Sequence, residues 1–274
     1  MAINFQNKLD AIIEKNDSLV CVGLDSDFDK LPVHLKYEEF PQYAFNKALI
    51  DATHQLICAY KPNSAFYEAR GEKGIHELKM TFDYIHSTYP EIVTILDAKR
   101  ADIGNTNNGY VRFIFDFLGS DAVTLQPYLG SEAIKPFLER ADKGCIILCK
   151  TSNPGAGELQ DLQVNGEPLY KIVAKKVSQE WNQNNNCLLV VGATYPEEIA
   201  EVRAITGDMT FLIPGIGVQG GDIEKTVIAG LNSKKAGMII NSSRGVIFAS
   251  SGTDFAEKAQ EEMQKLRDII NVYR

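Results

Sequence analysis

The stretch IVTILDAKRADIGNT, residues 92–106, begins as a near-continuous apolar run and then places Asp97, Lys99, Arg100 and Asp102 within six positions. Apolar residues that do not alternate with polar ones mark a strand covered on both faces, as strands of a parallel sheet flanked by helices are. Seven other runs have the same character: LVCVGL at 19–24, LICAY at 56–60, AVTLQ at 122–126, CIILCK at 145–150, CLLVVG at 187–192, TFLIP at 210–214 and GMIIN at 237–241. Between them lie segments with helical spacing, such as FPQYAFNKALIDATHQ, GIHELKMTFDYIHSTY and PEEIAEVRAI. Strand and helix alternate eight times with no Pro, Gly or Ser-rich linker, so the expected fold is α/β, a single (β/α)8 TIM barrel, over residues 1–274 as one domain.

Composition agrees with a soluble enzyme: 45% apolar and 23% charged residues are enough for a large core and a solvated surface. The net charge of −8 and a pI near 5.1 provide no broad cationic field, which argues against nucleic acid as a partner. The N-terminal MAINFQNKLDAIIEKN spaces Ile3, Phe5, Leu9, Ile12 and Ile13 as an amphipathic helix and lacks the continuous apolar region of a signal peptide. No segment approaches the ~18 apolar residues of a membrane span, so a cytoplasmic protein is expected. Cys21, Cys58, Cys145, Cys149 and Cys187 fall in or beside strand-like runs and read as small buried hydrophobes. His34, His54, His76 and His86 have no partners at ligand spacing, so neither a metal nor a histidine base is expected.

In such a barrel, active sites form at the C-terminal ends of the strands. Those ends here carry Asp25, Lys61, Asp97 with Lys99, the trio Lys150, Thr151 and Ser152, the glycine-rich PGIGVQGG and SSRG. Asp97 and Lys99, two apart on an extended strand, are expected to leave on one face, with Lys61 arriving from the adjacent strand and Asp102 pointing elsewhere. PGIGVQGGDIEK at 214–225, with Arg244 after the eighth strand, suits a phosphate grip. The Gly-bearing insertion PGAGELQDLQVNGEP, 154–168, reads as a mobile cover over the site.

The segments VGLDS (22–26), YKPNSAFYEA (60–69), LDAKRADIGNT (96–106), TSNPGA (151–156), PGIGVQGGD (214–222) and NSSRG (241–245) resemble, in order and across almost the whole chain, the second sequence subgroup of the orotidine 5′-phosphate decarboxylase family. The Asp-x-Lys-x-x-Asp element alone is moderately specific, since related sugar-phosphate decarboxylases share it. The resemblance implies a homodimeric barrel that converts orotidine 5′-monophosphate to UMP and carbon dioxide, the last step of de novo pyrimidine synthesis, without metal or organic cofactor. It makes Lys99, Asp97, Lys61 and Asp102 the candidate catalytic residues, with Lys99 as proton donor and Asp102 contributed across the interface by the partner subunit. It makes Asp25, Thr106, Ser152, Pro214, Gln219, Ser243 and Arg244 the candidate substrate-binding residues. Among them Asp25, Lys61 and the partner's Thr106 resemble ribose ligands, Ser152 a pyrimidine contact, and Gln219, Ser243 and Arg244 the phosphate clamp. Arg100 is left to solvent or interface pairing. A metal-dependent sugar-phosphate decarboxylase or epimerase, and a non-catalytic nucleotide-binding barrel, are the alternatives on the same fold.

Overall fold

In a computed structural model, which describes residues 4–216 and 222–274, every one of the eight apolar runs contains a strand. These are β1 (Val20–Val22), β2 (Ala59–Tyr60), β3 (Val93–Arg100), β4 (Ala122–Leu125), β5 (Gly144–Lys150), β6 (Cys187–Val191), β7 (Phe211–Pro214) and β8 (Met238–Ser242). They pair in parallel, each with its neighbour in sequence, and β1 pairs with β8 to close the barrel. Covering helices on the outside explain the near-continuous apolar runs: β6, for example, is buried at all five positions.

The crossovers are helical where the spacing predicts them. Pro41–Thr53 follows β1, Gly71–Thr88 follows β2, and Phe255–Val272 ends the fold. Pro41 opens its helix at a position where the missing N–H costs nothing. The helices Gly104–Val111 and Leu169–Lys175 each run on into a π-helical turn, Arg112–Phe117 and Lys176–Trp181. The insertion after β5 is not structureless. It holds the short helix Gly157–Gln160 and a hairpin of Gln163–Val164 with Glu167–Pro168, turned by Asn165 and Gly166 at φ 55° and 83°.

The N-terminal helix, Phe5–Asn16, starts at Asn4, whose side chain accepts from the Asn7 N–H, and buries Phe5, Leu9, Ile12 and Ile13. It lies across the N-terminal ends of the strands. Phe5 N–H donates to the Asp142 carbonyl, Lys8 pairs with Asp121 at 2.7 Å, and a Cβ on Gly144 would meet the Phe5 ring at 2.9 Å. Ile3, placed on the same apolar face by the sequence, lies outside the described residues. The opposite end is the one at which barrels of this kind place their chemistry.

All five cysteines are free and buried, and burial raises the thiols of Cys21 and Cys187 to about 12. Among the described residues no helix is long and apolar enough to cross a membrane.

Truncating Leu9, which is fully buried, to Ala is expected to destabilise the chain by about 2–5 kcal/mol. Urea unfolding should show the midpoint falling at unchanged slope. Turnover at temperatures where the chain stays folded should not change, since the helix lies at the far end from the mouth.

Candidate active site

At the C-terminal mouth a cavity of about 530 Å³ is lined by Asp25, Lys61, Asp97, Lys99, Ser152, Pro214, Ser243 and Arg244. Residues from six strand ends thus meet in one volume, of the size of a small-molecule site. Leu148, Val190 and Leu212 give it an apolar floor. Asp102 and Thr106 are not in its lining, and Gln219 lies outside the described residues.

Asp97 is the hub. Its Oδ2 accepts from Lys61 Nζ at 2.8 Å and from Asn63 Nδ2 at 3.5 Å. Its Oδ1 accepts from Lys99 Nζ at 2.6 Å and from Thr124 Oγ1 at 2.9 Å. The backbone sets this up: Lys61 N–H donates to Val22, Leu24 N–H to Lys61, and Asp97 N–H to the Pro62 carbonyl. Burial alone would raise the Asp97 carboxyl, but the two ammonium groups and their hydrogen bonds overcome it and hold the group well below the usual carboxylate range. Burial works against the Lys61 ammonium too, yet Asp97 and then Asp25 keep it charged well above an ordinary lysine.

Asp97 and Lys99 do converge, though not by the simple alternation of an extended strand. Leu96 faces Val123 and Arg100 faces Leu125, so β3 carries two extra residues against β4, and Lys99 sits at φ 46°. The bulge re-aims the lysine toward its own neighbour. Arg100, read as a solvent or interface charge, pairs within the chain, with Glu68, and stacks its guanidinium 5.1 Å from the Tyr110 ring centroid.

Across the cavity, Ser243 Oγ donates to Asp25 Oδ2 at 2.5 Å and lies 3.0 Å from the Gly23 carbonyl. Gly23 is required here, because a Cβ would meet that hydroxyl at 2.5 Å. Asp25 Oδ1 and Asn241 Oδ1 are buried and have no partner among the described residues. Two unfilled acceptors in a cavity ask for donors such as hydroxyls. Arg244 stands exposed at the rim and forms no ion pair with a described residue, as a group awaiting an anion would.

Lys150, grouped by its position with the mouth charges, does not line the cavity. It is buried, pairs with Asp161 of the insertion and with Glu198 at 3.2 Å, and lies 5.1 Å over the Tyr170 ring. Its neighbour Thr151 exchanges two hydrogen bonds with Gln160, N–H to Oε1 at 2.9 Å and Nε2 to Oγ1 at 2.8 Å. The insertion is therefore tied to the end of β5 and presents Gln160 to the cavity, beside Asn153 just before it. Gly192 at the end of β6 makes room for Ser152, whose Cβ a side chain there would meet at 2.9 Å. Thr124, Asn63, Gln160 and Gly192 carry no charge and follow no strand-end pattern; only their hydrogen bonds and close approaches single them out.

On the outer side of the mouth, Asp102 Oδ1 accepts from the Ile103 N–H, and its backbone is held by Asn107. Ile103, 60% exposed, stands beside Asp102, and the following strand end exposes Tyr128 and Leu129. Among the described residues no three His, Cys, Asp or Glu side chains form a group able to hold a metal ion.

The model of the orotidine 5′-phosphate decarboxylase / HUMPS family matches residues 18–259. The orotidine 5′-phosphate decarboxylase of Cellvibrio japonicus is 49% identical over 274 residues, 99% of this chain and 100% of that one. Among solved structures, the Leishmania donovani OMP decarboxylase superposes with a TM-score of 0.82 at 36% identity, covering 97% of this chain and 100% of that one. Leishmania donovani UMP synthase gives 0.84 at 38% identity; the match covers 97% of this chain but 57% of that longer one.

Asp97, ionised below its ordinary value, contributes stability that is fully present above about pH 4 and is lost as pH falls toward the folded-state value. Asp97→Asn removes the carboxylate bound to the buried Lys61, leaving only the more weakly acting Asp25, and should cost about 3–5 kcal/mol at neutral pH. Urea melts of both proteins at neutral pH and near pH 3 should show that gap and its narrowing; equal stability at neutral pH would remove Asp97 from its central place.

Proposed function

The chain belongs to the orotidine 5′-phosphate decarboxylase / HUMPS family, and from that premise we propose that it decarboxylates orotidine 5′-monophosphate to UMP and carbon dioxide, with Lys99 as the proton donor. The observation that carries this reading is the Lys61–Asp97–Lys99 array, with Lys61 buried behind Asp97 and Lys99 reaching into an apolar-floored cavity.

A substrate carboxylate seated beside Asp97 meets a like charge. At ~4 Å and an effective dielectric near 20, that repulsion is about 4 kcal/mol, and it disappears when carbon dioxide leaves. The electron pair left on the ring carbon is then next to the Lys99 ammonium, which stabilises it and delivers the proton. Contacts far from the reacting bond must hold the substrate against the repulsion. Arg244, exposed at the rim, is the cation for the phosphate, with Gln219 the other side chain of the clamp; where the bound substrate buries such a contact, truncating it costs about 2–5 kcal/mol, the scale of the strain to be offset. Asp25 and Lys61 take the ribose hydroxyls, Ser152 the pyrimidine edge, and Pro214 and Ser243 complete the phosphate side.

Asp97 also bears on the choice of chemistry within the family. Both of its oxygens already accept from ammonium groups, so it is poorly disposed to ligate a divalent cation, as a metal-dependent sugar-phosphate enzyme would require.

Asp102 and Thr106 belong, in this reading, to the site of a second copy. They lie outside their own cavity, beside the exposed Ile103, Tyr128 and Leu129, whose apolar surface a homodimer would cover. The partner's Asp102 would bring a second carboxylate toward the substrate and Lys99, and the partner's Thr106 a hydroxyl toward the ribose. A soluble, cytoplasmic homodimer with shared sites is the proposed working form.

Lys99→Ala is expected to abolish turnover, followed as loss of orotidine 5′-monophosphate absorbance in the presence of a chelator, while UMP binding stays measurable by calorimetry. Near-normal turnover would refute Lys99 as the donor. Mixing Asp102→Asn chains with Lys99→Ala chains should restore activity, because each heterodimer then has one site free of both lesions. Absence of rescue in a mixture shown to exchange subunits would rule out the shared site.

A further inference from the structure

Thr124 lies on β4 opposite the bulge of β3, at the floor of the cavity, and is fully buried. Its hydroxyl makes three hydrogen bonds. Oγ1 accepts from Ala98 N–H at 3.0 Å and Lys99 N–H at 2.9 Å, and donates to Asp97 Oδ1 at 2.9 Å. A hydroxyl has two acceptor lone pairs and one proton, so its capacity is fully used and its proton has one direction to point.

The two N–H groups it satisfies belong to residues between Leu96 and Arg100, where the register of β3 against β4 shifts. Lys99 adopts φ 46°, a region unfavourable for a residue with a long side chain, and something must compensate that strain. The same oxygen that steadies the Lys99 backbone also orients the carboxylate to which the Lys99 ammonium is bound. We propose that Thr124 is a positioning residue for the reaction, locking the β3 bulge so that Asp97 and Lys99 are aimed at the reacting carbon. It touches no substrate atom in this scheme and acts through those two residues. The inference rests on the reading of Lys99 as proton donor.

The hydroxyl and the methyl of Thr124 can be separated. Thr124→Val keeps the shape and removes the hydroxyl, whereas Thr124→Ser keeps the hydroxyl. For Val, kcat is expected to fall roughly tenfold to a hundredfold, since misplacing a reacting group by about an ångström has effects of that size, with the Kd for UMP within about threefold of the original. For Ser, kcat should return to within about threefold of the original. Amide hydrogen exchange over residues 96–102 should speed up in Val and not in Ser. Should Val not fold, Thr124→Ala supplies the same deletion without a methyl pressed against Asp97. Full kcat in the hydroxyl-free variant, parallel loss of kcat and UMP binding, or a Ser variant as slow as Val would each overturn the proposal. An original chain without decarboxylase activity would instead refute the functional reading, and the exchange data would still report whether Thr124 locks the bulge.

Discussion

The Asp97 carboxylate, held between the Lys61 and Lys99 ammonium groups, is the interaction on which the rest of the mouth depends. An isolated carboxylate buried this deeply costs several kcal/mol, and Lys61, itself buried, has the same problem with opposite sign. Each is tolerable only because the other is there. Their pairing requires β2 and β3 to be adjacent and in a particular register, which the Asp97 N–H to Pro62 carbonyl bond maintains. Excellent geometry is the condition for such a pair to repay its desolvation. Here every oxygen of Asp97 has two donors.

Around that pair the barrel supplies rigidity and dryness in different places. The N-terminal helix packs over one end, while Leu148, Val190 and Leu212 line the cavity beside the charges. Glycines stand where backbone and side chain must nearly touch, at Gly23 under Ser243 and at Gly192 beside Ser152. The insertion after β5 is anchored rather than loose: Lys150 is buried under it, bound to Asp161, and Gln160 reaches from it to Thr151. A cover over the site would have to move about these ties. Lys150 therefore holds the insertion to the end of β5 and does not line the cavity, although its position at a strand end suggested otherwise.

Much of the architecture was legible because parallel strands sheathed by helices must be apolar on both faces, and eight such runs with helical spacers have few other ways to bury themselves. The strand-end charges were legible for a related reason: Asp25, Lys61, Asp97, Lys99 and Arg244 interrupt apolar runs where a buried strand meets the mouth. Uncharged groups gave no such interruption. Thr124 lies inside AVTLQ and looks like any β-branched strand residue. Asn63 caps a short helix and Gln160 ends another, in polar stretches where such residues are ordinary. The bulge in β3 was also hidden, since DAKR reads as plain alternation until the partner strand is seen to advance two residues while β3 advances four.

By itself the sequence determined the barrel, the pole at which its charges gather and the family to which the motifs belong, because hydrophobic period and residue type are local properties of the chain. Tertiary structure decided which charges meet. Lys61 and Asp97 are brought together over thirty-six positions of sequence, Ser243 and Asp25 over more than two hundred, Lys150 is turned away, and Asp102 is left outside the cavity its neighbours line. Such encounters depend on strand register, a bulge and the absence of a Cβ at two glycines, which are relations between distant segments and have no signature in either segment alone.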